Sequence, residues 1–250
     1  MNSFSVIIPA LNEEANIDSA VRSVIKAVSG LVADYEIIVV DDGSSDETGK
    51  IAARLAHELP NLTVVHNSVN MGVGHSLLRG FRVASKQFVT CFPGDNDMAW
   101  QSLRNILAAG GNTDLVISYI ADNRHRSLVR RLLSSSFVGL LNVVFALRLK
   151  YYNGPFVFPR HKLVNLDVKS DGLGIISECI VKLIKAEGCT YTQVPFEHIG
   201  RKAGKSTALS RKSIASVMRS LMLLVVDIYM KPKRTHGSDA DRASRSTRSP

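Results

Sequence analysis

Residues 37–48 read Ile-Ile-Val-Val-Asp-Asp-Gly-Ser-Ser-Asp-Glu-Thr. An apolar β-branched run of this kind is the pattern of a strand covered on both faces. It stops on two adjacent carboxylates, Asp41 and Asp42. Gly43 permits a sharp turn, and Ser44, Ser45 and Asp46 can cap a following helix. The unit is strand–turn–helix with acid at the carboxyl end of the strand, where open α/β sheets bind ligands. A cap needs only one side chain, and two abutting carboxylates repel each other. A polyhydroxylated or metal-bound ligand would relieve that repulsion.

Working outward, residues 5–8 form a short strand that ends in Pro9-Ala10-Leu11-Asn12-Glu13-Glu14, acid in the first turn of a helix. Ile17, Val21, Val24, Ile25 and Val28 recur at helical spacing, and a strand follows at 35–40. The three make a β-α-β unit, which sets Asn12 and Glu13 beside Asp41 and Asp42. The pattern repeats: a helix over about 46–59, a strand at 62–66, and a helix to about 85 entered through Asn70-Met71-Gly72-Val73-Gly74. Such glycines let a phosphate approach backbone N–H groups, although turn geometry explains them equally.

The strand at 88–92 ends in Pro93-Gly94-Asp95-Asn96-Asp97, a second acidic strand end. Two carboxylates one residue apart can share a divalent cation with a diphosphate, or form a polar turn. Further elements are a helix at 103–109, a strand at 114–120, an irregular or extended stretch at 151–159, a helix at about 175–186 carrying Glu178, and a strand at 191–194. A basic, glycine-containing loop over 198–206 suits closure over phosphates or simple solvation.

Two apolar helices remain. Residues 128–149 follow the basic run Arg124, His125, Arg126, Arg130 and Arg131, which fits either an interfacial membrane helix or a core helix with an exposed basic start. Residues 213–230 carry Arg219 and Asp227. No stretch reaches eighteen uninterrupted apolar residues, so an ordinary transmembrane helix is not expected, 214–230 being the nearest candidate. Residues 231–250 hold six Lys or Arg against two Asp and few apolar residues, the composition of a disordered basic tail.

The chain has 250 residues, 45% hydrophobic, enough for one large α/β domain, and a formal net charge of +9, which favours an anionic partner. Its three cysteines lack CxxC spacing and suggest neither a disulfide framework nor a zinc site. No basic leader precedes the first strand, so no secretory signal is expected. No G-x-G-x-x-G follows that strand, which argues against a Rossmann dehydrogenase. Aromatic residues are sparse at 6%, which argues against nucleic-acid binding by base stacking.

Taken together, Val6–Glu14, Ile38–Thr48, Asn70-Met71-Gly72 with Gly74 and Gly80, Asp95-Asn96-Asp97, and Arg201 with Gly204, Lys205 and Ser206 resemble a family 2 glycosyltransferase. Within that family they look most like the dolichol- or polyprenyl-phosphate sugar synthases. The resemblance covers roughly residues 4–210. It implies an α/β GT-A fold, Rossmann-like, with a mostly parallel sheet and peripheral amphipathic helices. The catalytic domain would occupy 1–212, including an interfacial helix at about 128–149, followed by the apolar helix at 213–230 and the tail.

By similarity, Pro9, Asn12, Glu13, Asp41 and Asp42 line a pocket for base and ribose, with Gly72 beside it. Asp95 and Asp97 would hold Mg²⁺ or Mn²⁺ on the diphosphate, and Arg201, Lys205 and Ser206 would clamp phosphates. Glu178 aligns with an acid of the corresponding family helix. Gly94-Asp95-Asn96-Asp97-Met98 departs from the usual Asp-Ala-Asp-Leu-Gln, and Tyr152-Asn153-Gly154-Pro155 from the common Ser-Gly-Phe-Arg.

The implied reaction is inverting transfer of a hexosyl group from a nucleotide diphosphate sugar to a polyprenyl phosphate, by a peripheral protein at the cytoplasmic membrane face. A saccharide or glycolipid hydroxyl is the alternative acceptor, and it would need a general base such as Asp97 or Glu178. A non-catalytic nucleotide-sugar- or membrane-binding protein is the remaining alternative.

Overall fold

The computed structural model describes residues 2–123, 126–170, 172, 174–199 and 211–230, with side chains of the last segment described from 219. The basic loop residues Arg201, Lys205 and Ser206, and the tail at 231–250, lie outside the described residues.

The first half alternates strand and helix: β1 (Phe4–Ala10), α1 (Ile17–Val28), β2 (Tyr35–Asp41), α2 (Thr48–Glu58), β3 (Leu62–His66), α3 (Val73–Val83), β4 (Phe88–Cys91) and α4 (Trp100–Ala108). The second half is less regular: β5 (Leu115–Ile120), α5 (Leu128–Phe145), β6 (Phe156–Pro159), α6 (Arg160–Leu163), α7 (Ile175–Lys185), β7 (Tyr191–Phe196) and α8 (Arg211–Tyr229).

Seven strands form one sheet in the order β3-β2-β1-β4-β6-β5-β7. All neighbours are parallel except β6, which runs antiparallel to both β4 and β5. The stretch expected to be irregular at 151–159 thus supplies a buried strand, Phe-Val-Phe-Pro, in the interior of the sheet. Pro159 ends it, so the missing N–H costs no ladder bond further on.

Both faces of the sheet are covered. Val6, Ile8, Ile37 and Val39 pack on the side of α1, α2 and α4. The alternate residues Ile7, Ile38 and Val40 pack on the side of α3, α5, α7 and α8. A strand whose alternate side chains each meet a helical layer has no solvent face, hence the continuous apolar runs in the sequence.

β1 is the point at which the chain changes direction across the sheet, with β2 and β3 on one side and β4 on the other. The carboxyl ends of β1, β2 and β4 therefore meet at one crevice, the place where open α/β sheets take ligands.

The helix α5 ends at Phe145 rather than near 149. Ala146 turns left-handed at φ 47°. The Asn142 side chain donates to the Leu149 carbonyl at 2.8 Å, accepts its N–H at 3.0 Å, and accepts from the Tyr152 hydroxyl at 2.9 Å. One amide thus replaces the last helical turn. Leu128, Val129, Leu132, Leu133, Leu140 and Val143 of α5 are exposed, the last at 82%. By length and composition α5 could cross a membrane, although its sequence holds no eighteen uninterrupted apolar residues. Only 11% of α5 is buried, so it is not a core helix.

Candidate active site

The loops after β1 and β2 are stitched together. The Asn12 N–H donates to Ser44 Oγ at 3.0 Å, and Asn12 Oδ1 accepts the Ser45 N–H at 2.9 Å. The Glu13 N–H donates to Thr48 Oγ1 at 2.7 Å. The Glu14 N–H donates to Asp46 Oδ2, and the Glu14 carboxyl accepts the Glu47 N–H at 3.0 Å. Asn12 sits at φ 54°, a conformation asparagine tolerates. Pro9, one residue before the end of β1, pairs with Val40.

Asp41 and Asp42 are both buried. Asp41 accepts the Ser44 N–H at 3.1 Å and lies 3.0 Å from His66 Nδ1. Asp42 accepts Asn67 Nδ2 at 2.6 Å, the Met71 N–H at 3.0 Å and the Gly72 N–H at 2.7 Å. The repulsion inferred from sequence is met from inside the protein, where each carboxyl has its own donors. Asp42 shapes the loop that leads into α3, and Gly72 adopts φ 91° there. Gly43 cannot be replaced cheaply: at φ 71° a Cβ would lie 2.6 Å from the Val69 carbonyl carbon.

Asp46 completes this end. Burial pushes its carboxyl up, but the Thr48 hydroxyl, the Thr48 N–H and the Glu14 N–H outweigh that, and the net pKa lies below the ordinary value.

The acidic loop after β4 packs directly on β1. A Cβ on Gly94 would lie 2.6 Å from the Pro9 carbonyl oxygen, so only glycine admits this approach. Asp95 Oδ1 accepts the Asp97 N–H at 3.3 Å. Asp97 Oδ2 lies 3.1 Å from His198 Nε2. Two backbone links hold His198 there: a bridge with Met98, and an N–H···O bond of 2.8 Å from Ile199 to Asp97.

His198 was not singled out from sequence, because its partner lies about 100 residues earlier and only the chain following β7 brings them together. Burial lowers its pKa, and Arg126 and Arg130 lower it further against the opposing pull of Asp95. The imidazole is therefore neutral at neutral pH. Arg126 and Arg130 belong to the run read as a membrane flank, yet their charge is felt at this loop.

Glu178 makes a separate set of contacts. It is buried in α7, accepts the Lys169 and Ser170 N–H groups at 3.0 and 2.7 Å, and pairs with Lys182 at 2.6 Å. Lys182 also meets Asp227 of α8 at 2.9 Å, and Asp227 pairs with Lys169. Two cations and two anions thus balance across the α7–α8 contact. The polar residue that interrupts the apolar helix at 227 is an anchor for that helix.

Among the described residues, no group of three or more His, Cys, Asp or Glu side chains converges as a ready-made metal cluster. The pair Asp97 and His198 with neighbouring Asp95 offers carboxylate oxygens and a neutral imidazole, donor types that suit Mn²⁺, with the carboxylates suiting Mg²⁺ as well.

Residues 5–168 match the profile of Glycosyl transferase family 2. The chain is 27% identical over 229 residues to a dolichol-phosphate mannosyltransferase of Pyrococcus furiosus, covering 88% of this chain and 63% of that protein. It is 29% identical over 133 residues to an undecaprenyl-phosphate 4-deoxy-4-formamido-L-arabinose transferase of Proteus mirabilis, covering 52% of this chain and 40% of that protein. The chain thus spans less than two thirds of either relative. Among solved structures, glucosyl-3-phosphoglycerate synthase from Mycobacterium tuberculosis, in complex with Mg²⁺ and uridine diphosphate, shares the fold at a TM-score of 0.66 and 21% identity, covering 95% of this chain and 83% of that one.

Proposed function

The chain belongs to glycosyl transferase family 2, and from that premise we propose that it moves a hexosyl group from a nucleotide diphosphate sugar to a polyprenyl phosphate, with inversion, at the cytoplasmic face of a membrane. The observation that carries this reading is the pairing of two acidic strand ends at one crevice, one rigidly hydrogen-bonded and one facing an imidazole and cations.

The rigid end, with Pro9, Asn12, Glu13, Asp41, Asp42 and Gly72, would receive the base and ribose. Asp95 and Asp97, with His198, would hold Mg²⁺ or Mn²⁺, which when bound supplies positive charge to the leaving diphosphate. Arg126 and Arg130 bring further positive charge to the same loop, and Arg201, Lys205 and Ser206 are proposed to close over phosphates. Glu178, tied to Lys182 and two amides, serves as a positioning residue for α7 and α8. An acceptor phosphomonoester has a second pKa near ~6 and is largely dianionic at neutral pH, so the nucleophile needs no side-chain base.

Names of the relatives support a polyprenyl-linked acceptor. The exposed apolar residues of α5, with Arg130 and Arg131 in its first turn, support contact with an anionic membrane surface. The deciding experiment incubates the protein with radiolabelled nucleotide sugars and a polyprenyl phosphate. An acid-labile, solvent-extractable sugar phosphate is expected; a product linked through a hydroxyl would move the reading to saccharide or glycolipid assembly. Vesicles containing anionic lipid should sediment the protein, and Leu132→Asp with Val143→Asp should abolish it. Equal sedimentation of both proteins would remove α5 from the membrane contact.

A further inference from the structure

Asn96, between the two carboxylates of the acidic loop, is not a spacer. Its backbone is left-handed at φ 52°. Its side chain is buried at 8% exposure, although it sits on a loop beside two acids. Its amide donates from Nδ2 to Ser19 Oγ of α1 at 3.1 Å. The orientation of that amide is determined: the Ser19 hydroxyl hydrogen goes to the Asn16 carbonyl at 2.7 Å, leaving Ser19 Oγ to accept. Asn96 Oδ1 is buried with no protein partner.

A left-handed backbone and an unmet buried acceptor each oppose folding. Their coexistence at one residue calls for a compensating use of that geometry. What the geometry secures is a connection. From Ser19 the hydrogen bonds continue through Asn16, whose Nδ2 donates to Glu13 Oε2 at 2.8 Å, and through Glu13, whose N–H donates to Thr48 Oγ1. The first turn of α1 thus touches both acidic strand ends, the acidic 95–97 loop on one side and the 41–48 turn on the other.

We propose that Asn96 and Ser19 are positioning residues: their hydrogen bond latches the 95–97 loop to the first turn of α1 and sets the spacing between the metal carboxylates and the nucleotide end. The inference rests on the metal reading of Asp95 and Asp97 given above. Asparagine adopts the left-handed backbone more readily than most residues and also supplies the donor, which an aliphatic side chain could not.

Ser19→Ala tests the latch without touching the loop, and Ser19→Thr restores the hydroxyl. Asn96→Gly keeps the positive φ and removes the amide. Hydrogen exchange of metal-free protein should show segment 93–99 opening roughly two- to tenfold more readily in Ser19→Ala and Asn96→Gly, and unchanged in Ser19→Thr. Mn²⁺ binding, read by electron paramagnetic resonance with UDP and separately with GDP, should weaken by a similar factor in the first two variants. Unchanged exchange in both variants overturns the latch. Mn²⁺ bound equally by wild type and Ser19→Ala, but lost in Asp95→Ala, overturns its role in metal placement while the metal reading stands. No Mn²⁺ bound by wild type with either nucleotide overturns the metal reading itself and that role with it.

Discussion

The two acidic strand ends look alike in sequence and are built in opposite ways. At the end of β2, Asp41 and Asp42 are buried and their oxygens are taken by backbone amides, Asn67 and His66. Past the end of β4, Asp97 is half-buried, on a loop whose approach to β1 depends on one glycine and which an asparagine amide ties to α1. The first set of carboxyls holds the scaffold together as well as facing the crevice. The second is partly exposed and lies beside an imidazole, and it is the one we propose to take up a cation. A buried carboxylate whose oxygens are taken by amides recognises by shape, whereas a partly exposed one beside an imidazole can take up charge chemistry.

The largest expected effect breaks the second end. Asp95→Ala should lower kcat by roughly 10²–10³-fold, about 3–4 kcal/mol of transition-state stabilisation, as for loss of one preorganised charge partner. Its thermal midpoint should stay closer to wild type than that of a variant at the buried Asp42, because Asp95 is partly exposed. A variant that unfolds instead would mean that the two ends are alike after all.

The next effect breaks the first end. Asp42→Ala removes the acceptor of three donors, the Met71 and Gly72 amides and Asn67. It should cost about 2–3 kcal/mol of stability and lower the midpoint by roughly 5–10 °C. Donor binding should weaken while turnover at saturation falls less than in Asp95→Ala. Denaturant unfolding and nucleotide titration check both parts. A stable variant with unaltered donor affinity would show that the hydrogen bonds to Asp42 carry neither role.

Much of this was legible in the chain. The strand at 37–40 announced itself because its alternate residues are apolar on both faces, and the acids at its end stood at a position that α/β topology reserves for ligands. Local signals failed where partners are distant. Phe156–Pro159 carries too few residues to show a period, and its place between β4 and β5 follows only from tertiary pairing. His198 meets Asp97 through a bridge between the loops after β7 and β4. Glu178 reads on one helix as a candidate acid; Lys182, four residues on, is its counterpart, and only the packing of α8 reveals that Asp227 shares that lysine. The left-handed turn of Asn96 had no sequence signal beyond a residue type that tolerates it.

The smallest effect sharpens the comparison through pH. If the first end is scaffold, its carboxyl chemistry must appear in stability. Asp46 has a pKa below the ordinary value, with burial opposing the shift and Thr48 and Glu14 driving it. A carboxyl depressed on folding stabilises the protein above its unfolded pKa, and that contribution is lost as pH falls through the folded value. Thr48→Val keeps the volume and removes the hydroxyl that serves both Asp46 and the Glu13 N–H. At pH 7 it should cost about 1–2 kcal/mol. As pH falls below the ordinary carboxylate range, the difference from wild type should narrow, because protonation removes the Asp46 share in both proteins. It should not vanish, because the Glu13 amide still lacks its acceptor. Carboxyl chemical shifts should place the Asp46 midpoint higher in Thr48→Val than in wild type. A difference that is flat from pH 7 down to pH 3 would assign the whole effect to the Glu13 amide, leaving Asp46 a solvated surface acid and the rigidity of this end to Asp41 and Asp42 alone.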